Sequence, residues 1–211
     1  MKQILITLAL IAAAAIPAGA KDKYVDPYKG YDEAVFMDMD LDSNLETPAV
    51  GNGEKAAVKR YMNRLAKDFA AKKYIVDMLR DDEVMLITIP TDELFLPNDT
   101  LLSPYAAPRL NPLLGLMKDP EMFKIVYGVH TDNTGTPKYN MDLAHRRNSS
   151  IYDWLLDNIS EDQIVIPYEL GDTDPIEPNT TRKGRAQNRR IEIYVIPGPK
   201  LIESAHKNLI R

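Results

Sequence analysis

Between positions 130 and 147 the chain sets an acid, an amide and a base at spacings that bring them to one locality. Residues 130–135 read HTDNTG and directly follow an apolar run containing Met122, Phe123, Ile125 and Val126. Beyond them, Asn140, Leu143, Arg147, Ile151, Trp154 and Leu155 fall on one stripe of a helix. An arginine and an asparagine therefore interrupt a face that should be buried. A lone buried charge is costly, so Arg147 needs a partner, and Asp132 at the strand end is the nearest candidate. An acid and a base beside a helix N-terminus could bind a small zwitterion. A duller arrangement fits the same spacing, with Asp132 capping the turn and Arg147 extending its stem to solvent.

A second group lies in residues 179–190, NTTRKGRAQNRR, where five positions are Arg or Lys in an otherwise acidic chain. Such a run is ordinarily a solvated face. Yet Ile191, Glu192, Ile193 and Tyr194 alternate as a strand does, so one of Arg189 and Arg190 points to the side a pocket would occupy. Arginine suits carboxylates because its planar fork reaches both oxygens. The third group is His130 beside Asp132. Two ligands are too few for a metal, and His145 and His206 offer no completion. With no nucleophile elbow and no glycine-rich phosphate loop, a catalytic role is disfavoured and no cofactor is expected. His130 reads instead as a hydrogen-bonding residue at a strand end. The alternation of Asp38, Asp40 and Asp42 resembles a calcium loop, but Ser43 and Ala49 stand where its glycine and glutamate belong.

These groups need a scaffold. Residues 1–20 have the form of a signal peptide: Lys2, an apolar core, and Ala18-Gly19-Ala20 as cleavage site. The core is too short to favour a membrane anchor, which needs ~20 strongly apolar residues. No later segment is long and apolar enough to cross a membrane, and the alternating strands of an outer-membrane barrel are not evident. Without cysteine, disulfides, thiol nucleophiles, zinc–thiolate sites and lipidation of an N-terminal cysteine are all excluded. The chain holds 26 basic and 31 acidic residues, net −5, which argues against a nucleic-acid partner.

Residues 21–53 read as an extended arm or linker, with one strand where Met37, Met39 and Leu41 alternate with aspartates. An amphipathic helix over 54–73 carries Val58, Tyr61, Met62, Leu65 and Phe69 on one side. Strands are expected at 74–79 and 84–90 around the Asp81-Asp82 turn, at 122–129, 163–168 and 191–196. Helices are expected at 103–117, beginning at Ser103-Pro104, and at 137–158. The tail, 198–211, has helical spacing and either packs on the domain or stays mobile. The order β-α-β-α-β-β predicts a two-layer α/β sandwich, a mixed sheet covered by helices.

Several motifs in order resemble one family: LFLPNDTLLS (94–103), HTDNTG (130–135), YNMDLAHRR (139–147), Gly171 with Asp174-Pro175, and NTTRKGRAQNRRIEI (179–193). Over residues 74–197 the chain resembles the OmpA-like peptidoglycan-binding domain, also found at the C-termini of MotB and Pal. The resemblance implies a non-catalytic pocket for the diaminopimelate of peptidoglycan stem peptides. By that likeness Asp132 and Arg147 contact the ligand, Asn140 and Arg189 sit around it, and His130, Thr131, Leu143 and Asn188 support the pocket. It implies a periplasmic, peptidoglycan-associated protein on the outer-membrane side. An assembly module that keeps the fold but binds envelope proteins is the competing reading, and homodimerisation is left open. Four positions depart from the family pattern: Val129, Ala144, Asn148 and Glu169, of which Val129 and Glu169 are expected to reshape the pocket rim.

Overall fold

A computed structural model describes residues 24–210; the expected signal peptide lies outside the described residues. The chain first forms two short helices, α1 (Glu33–Met37) and α2 (Leu41–Glu46), then the longer α3 (Lys55–Ala71). A hairpin follows, β1 (Ile75–Leu79) and β2 (Val84–Pro90), turning through Arg80, Asp81 and Asp82 in left-handed conformation. Next come α4 (Ala107–Leu114), β3 (Phe123–His130), α5 (Pro137–Leu156) and β4 (Val165–Gly171). The described chain closes with α6 (Arg182–Asn188), β5 (Arg190–Pro197) and α7 (Pro199–His206).

The five strands form one mixed sheet in the order β1-β2-β5-β3-β4. Only β3 and β4 run parallel, as their link through the crossover helix α5 requires. Strands β3 and β5 are buried along their whole length, so the charged and polar residues they carry on one face, Lys124, His130, Arg190 and Glu192, are buried with them. On one face, Ile125, Tyr127, Ile191 and Ile193 meet Leu110 and Leu113 of α4 and Ile151 and Leu155 of α5. The predicted α/β class and helix-covered mixed sheet are what the chain adopts.

The opposite face is covered by the segment expected to be an extended arm. The Tyr28 hydroxyl donates to Pro197 O (2.7 Å) and the Tyr168 hydroxyl to Met39 O (2.7 Å). The alternation at Met37, Met39 and Leu41 does not make a strand. Asp32 accepts from Val35 N (2.9 Å) and Asp40 from Ser43 N (2.7 Å), so these aspartates cap α1 and α2. The helix expected from Ser103 begins only at Ala107. Ser103 N donates to Leu94 O (2.8 Å), which holds that residue in the preceding loop. The tail packs: Leu201, Ile202 and Ala205 of α7 are buried.

Lys124 ties the N-terminal segment to the sheet. Its fully buried ammonium donates to Asn44 O (2.8 Å), Asn44 Oδ1 (3.0 Å) and Thr47 O (2.5 Å), with the Phe36 ring centroid 3.9 Å away. Burial, with the nearby Arg80 charge, pushes its pKa down to about 7. A lysine depressed in the folded state binds fewer protons there than in the unfolded chain above that pH. Its contribution to stability therefore rises with pH between about 7 and 10.5. Lys124→Met should flatten that rise relative to the wild type. It should also cost about 2 kcal/mol near neutrality, because two buried oxygens of Asn44 and the half-buried Thr47 carbonyl lose their donor. Urea midpoints at pH 7 and pH 9.5 check the first statement, and faster amide exchange over residues 36–48 the second.

Candidate functional site

The site lies at the end of the sheet where β3 finishes and β5 begins. A register shift at Val129/His130 lets Thr131 N bond to Gly171 O (2.7 Å), carrying the chain one step past the strand. Asp132 then turns the chain: its Oδ1 accepts from Thr134 N (2.9 Å) and from the Thr134 hydroxyl. This leaves Oδ2 for Arg189 Nη1 at 2.8 Å. Arg189 also grips Asp92 with two nitrogens, Nε at 3.3 Å and Nη2 at 2.9 Å. One guanidinium thus joins two carboxylates. Burial raises the Asp132 pKa, but bonds from Thr134 and Arg189 outweigh it and hold the carboxyl below its ordinary value.

Asp132 does not pair with Arg147. On α5, Arg147 is buried, its Nε donates to Asp99 O (2.9 Å), and its guanidinium lies 5.1 Å from the centroid of Phe95. It forms no ion pair among the described residues; burial lowers its pKa, yet an arginine stays charged. The expected Asp132–Arg147 pair fails because Arg189, remote in sequence, reaches Asp132 first. Both nonetheless line one cleft of about 500 Å³, together with Thr131, Asn140, Leu143 and Arg189. The N-terminus of α5 stands beside it, with Thr136 Oγ1 accepting from Tyr139 N (3.2 Å) and Pro137 in the first turn. Asn140 Nδ2 donates to Gly135 O (3.3 Å).

Two of the predicted residues serve the site from outside. His130 lies on the other face of the sheet, its Nε2 3.2 Å from Glu192 Oε2. Arg190 Nε donates to Glu192 Oε1 (2.7 Å) and the Tyr194 hydroxyl to Oε2 (2.5 Å), while Arg190 Nη2 reaches Asp174 O (3.2 Å). Asn188 organises the loop before α6. Its Oδ1 accepts from Ile176 N and Glu177 N (3.0 Å each), and its Nδ2 donates to Glu177 O (2.8 Å). Gly184 lets that loop close, since a Cβ there would lie 2.1 Å from Pro178 O. Neither Val129 nor Glu169 lines the cleft: Val129 is in the core, and Glu169 meets His145 and Asn148 instead.

Reading the sequence alone misses Asp92, Asn98, Tyr139, Arg182 and Arg185, which also line the cleft. The signal for Asp92 was the strand pairing: Pro90 sits opposite Arg190, which brings the residues after β2 beside Arg189. Arg182 and Arg185 belong to the basic run that reads most simply as a solvated face. Among the described residues no cluster could hold a metal ion, and no helix is long and apolar enough to cross a membrane.

Residues 94–189 match the OmpA family. They form an OmpA-family domain. YiaD of Escherichia coli K12, described as a lipoprotein, is 30% identical over 58% of this chain and 56% of its own length. The peptidoglycan-binding protein ArfA of Mycobacterium tuberculosis is 35% identical over 34% of this chain and 22% of its own. The chain thus spans little more than half the length of the one and under a quarter of the other. Among solved structures, a protein described as MotB-like from Desulfovibrio vulgaris superimposes with a TM-score of 0.59 at 22% identity. That match covers 68% of this chain and 98% of the other, and it shows the fold. The cell wall anchor of the T6SS from Pseudomonas aeruginosa gives 0.51 at 25% identity, over 63% of this chain and 94% of that one.

The buried carboxylate beneath the OmpA-family cleft makes an acid-range prediction. Burial raises the Glu192 pKa, but bonds from His130, Tyr194 and Arg190 outweigh it and hold the carboxyl at about 2. A depressed carboxylate contributes stability above its unfolded value of 4.5 and loses it as pH falls from there to about 2. Glu192→Gln leaves Arg190 buried without its nearest charge and should cost about 3 kcal/mol at pH 7. Denaturant titrations of both proteins should draw together as pH falls from 4.5 towards 2, because the wild type loses the same charge over that range.

Proposed function

We propose that this protein binds peptidoglycan non-covalently, holding the zwitterionic end of stem-peptide diaminopimelate in the cleft. One observation carries the reading: an acid and a base open onto the same cleft without neutralising each other. Asp132 and Asp92 share one guanidinium, so this side keeps a surplus negative charge suited to an ammonium. Arg147 meets no carboxylate among the described residues, so its terminal nitrogens are left for the ligand's carboxylate. Backbone N–H groups opening α5 add to the same pole. A zwitterion satisfies both sides at once, whereas a simple anion or cation satisfies one.

The relatives support this reading: one is named as peptidoglycan-binding and one structural neighbour as a cell wall anchor. The setting we infer is the periplasm, on the outer-membrane side, where an OmpA-family domain would hold the protein to the wall. Each charge-assisted bond contributes roughly 1.5–3 kcal/mol, so single-site affinity is modest and retention comes from the many sites of the polymer.

Sedimentation with insoluble diaminopimelate-type peptidoglycan tests the proposal. Wild type should pellet with the wall. Asp132→Ala and Arg147→Ala should each weaken binding about tenfold or more, with unchanged circular dichroism. Equal sedimentation of wild type and both variants would rule the cleft out.

A further inference from the structure

The cleft carries more positive charge than a single zwitterion can use. Four arginines line it, Arg147, Arg182, Arg185 and Arg189, against two aspartates. Arg189 is consumed by Asp92 and Asp132, and these three groups together hold one net negative charge. Arg147, Arg182 and Arg185 then bring three positive charges, none in an ion pair among the described residues. An ammonium on the aspartate side and one carboxylate on Arg147 leave Arg182 and Arg185 unanswered. Arg185 is only partly engaged, its Nη1 donating to Asn179 O (2.9 Å), and the Arg182 side chain makes no hydrogen bond among the described residues. A second polar group is unsatisfied there too: Thr131, a cleft-lining residue 5% exposed, keeps its hydroxyl buried without a partner.

We propose that the cleft takes a peptide end with two free carboxylates, one at Arg147 and the second at Arg182 and Arg185. It therefore selects stem peptides whose acidic groups are not amidated. This rests on the peptidoglycan reading above and narrows it. Amidation removes a charge while keeping the shape, so the discrimination is electrostatic: a neutral amide offers a guanidinium one acceptor oxygen and no charge, and pairs with it more weakly in a partly dehydrated cleft. Two groups of a stem peptide supply the chemistry. One is the second carboxyl of diaminopimelate, free where the stem ends at that residue. The other is the α-carboxyl of the acidic residue preceding it.

Three soluble muropeptides titrated into the mature protein by calorimetry separate these cases. The first ends at diaminopimelate with every carboxyl free, the second has the preceding acidic residue amidated, and the third extends one residue beyond diaminopimelate. Wild type should bind the first about tenfold more tightly than at least one of the others, and the weaker one names the source of the second carboxylate. Arg182→Gln with Arg185→Gln should bring all three within about twofold, the loss falling on the fully charged peptide. Because Arg185 also holds Asn179, Arg182→Gln alone serves as a second variant. It should shrink the preference at an unchanged melting temperature. Wild type binding all three equally, or a double variant keeping the preference, overturns this inference alone. Wild type binding none of them overturns the peptidoglycan reading, and this inference falls with it.

Discussion

Two consecutive arginines entering the central strand are sent to opposite sides of the sheet, and the site depends on that division. Arg190 goes under, fully buried, where Glu192, Asp174 and the Asn188 carbonyl hold it. Arg189 goes over, into the cleft, where it joins Asp92 to Asp132. A buried guanidinium is tolerable only with its charge matched and its donors used, so the first residue of β5 cannot slide or flip. A slip of one residue would put Arg190 in the cleft and Arg189 under the sheet, and would exchange every apolar side chain of β5 between faces. The buried pair thus fixes the register that aims Arg189 at Asp132. His130 completes the device from β3, since its ring meets the same Glu192 and ties the two strand ends that frame the cleft.

What could be read from the residues followed from local periodicity. Helical spacing put Asn140, Leu143 and Arg147 on one inward stripe, and all three are buried beside the cleft. Strand alternation showed that one of Arg189 and Arg190 must face the pocket. Partner choice was not legible in the same way. Asp132 and Arg147 are nearest in sequence, but the pairing is decided by β2 and β5 lying side by side, which brings Asp92 and Arg189 together across 97 positions. The N-terminal segment misled for another reason. Its Asp-Met alternation has the period of a strand, yet Asp32 and Asp40 are spent on backbone N–H groups of helix starts. A short polar side chain that can cap a helix overrides a weak two-residue period.

The N-terminal segment also gives the molecule polarity. Tyr24 packs at a tilt against His206 of α7, their ring centroids 5.0 Å apart, and shares a surface depression with Lys200 of α7 and with Glu121, just before β3. The cleft stands at the other end of that strand, whose eight residues span about 25 Å. The beginning of the described chain and the cleft are therefore at opposite poles, joined by the most buried strands of the sheet.

Charge works at a longer range. The chain as a whole is acidic, net −5, while the cleft is lined by four arginines against two aspartates. Beyond a Debye length of about 8 Å at physiological salt, an approaching polymer feels little of either. Closer in, an anionic strand is repelled by most of the surface and attracted at one place. Wall polymers rich in carboxylates would adhere indiscriminately to a basic protein, and rejecting them costs this fold nothing but its surface composition. Discrimination then falls to the cleft, where Arg147 is buried against Phe95 and Arg189 is already committed to two aspartates. Neither can be satisfied by a carboxylate that stays outside. On the proposed reading a ligand would have to enter, shed water, and bring a cation for Asp132 along with its acid for Arg147. That joint requirement, rather than the strength of any one ion pair, is what an acidic protein with a locally basic cleft is suited to impose.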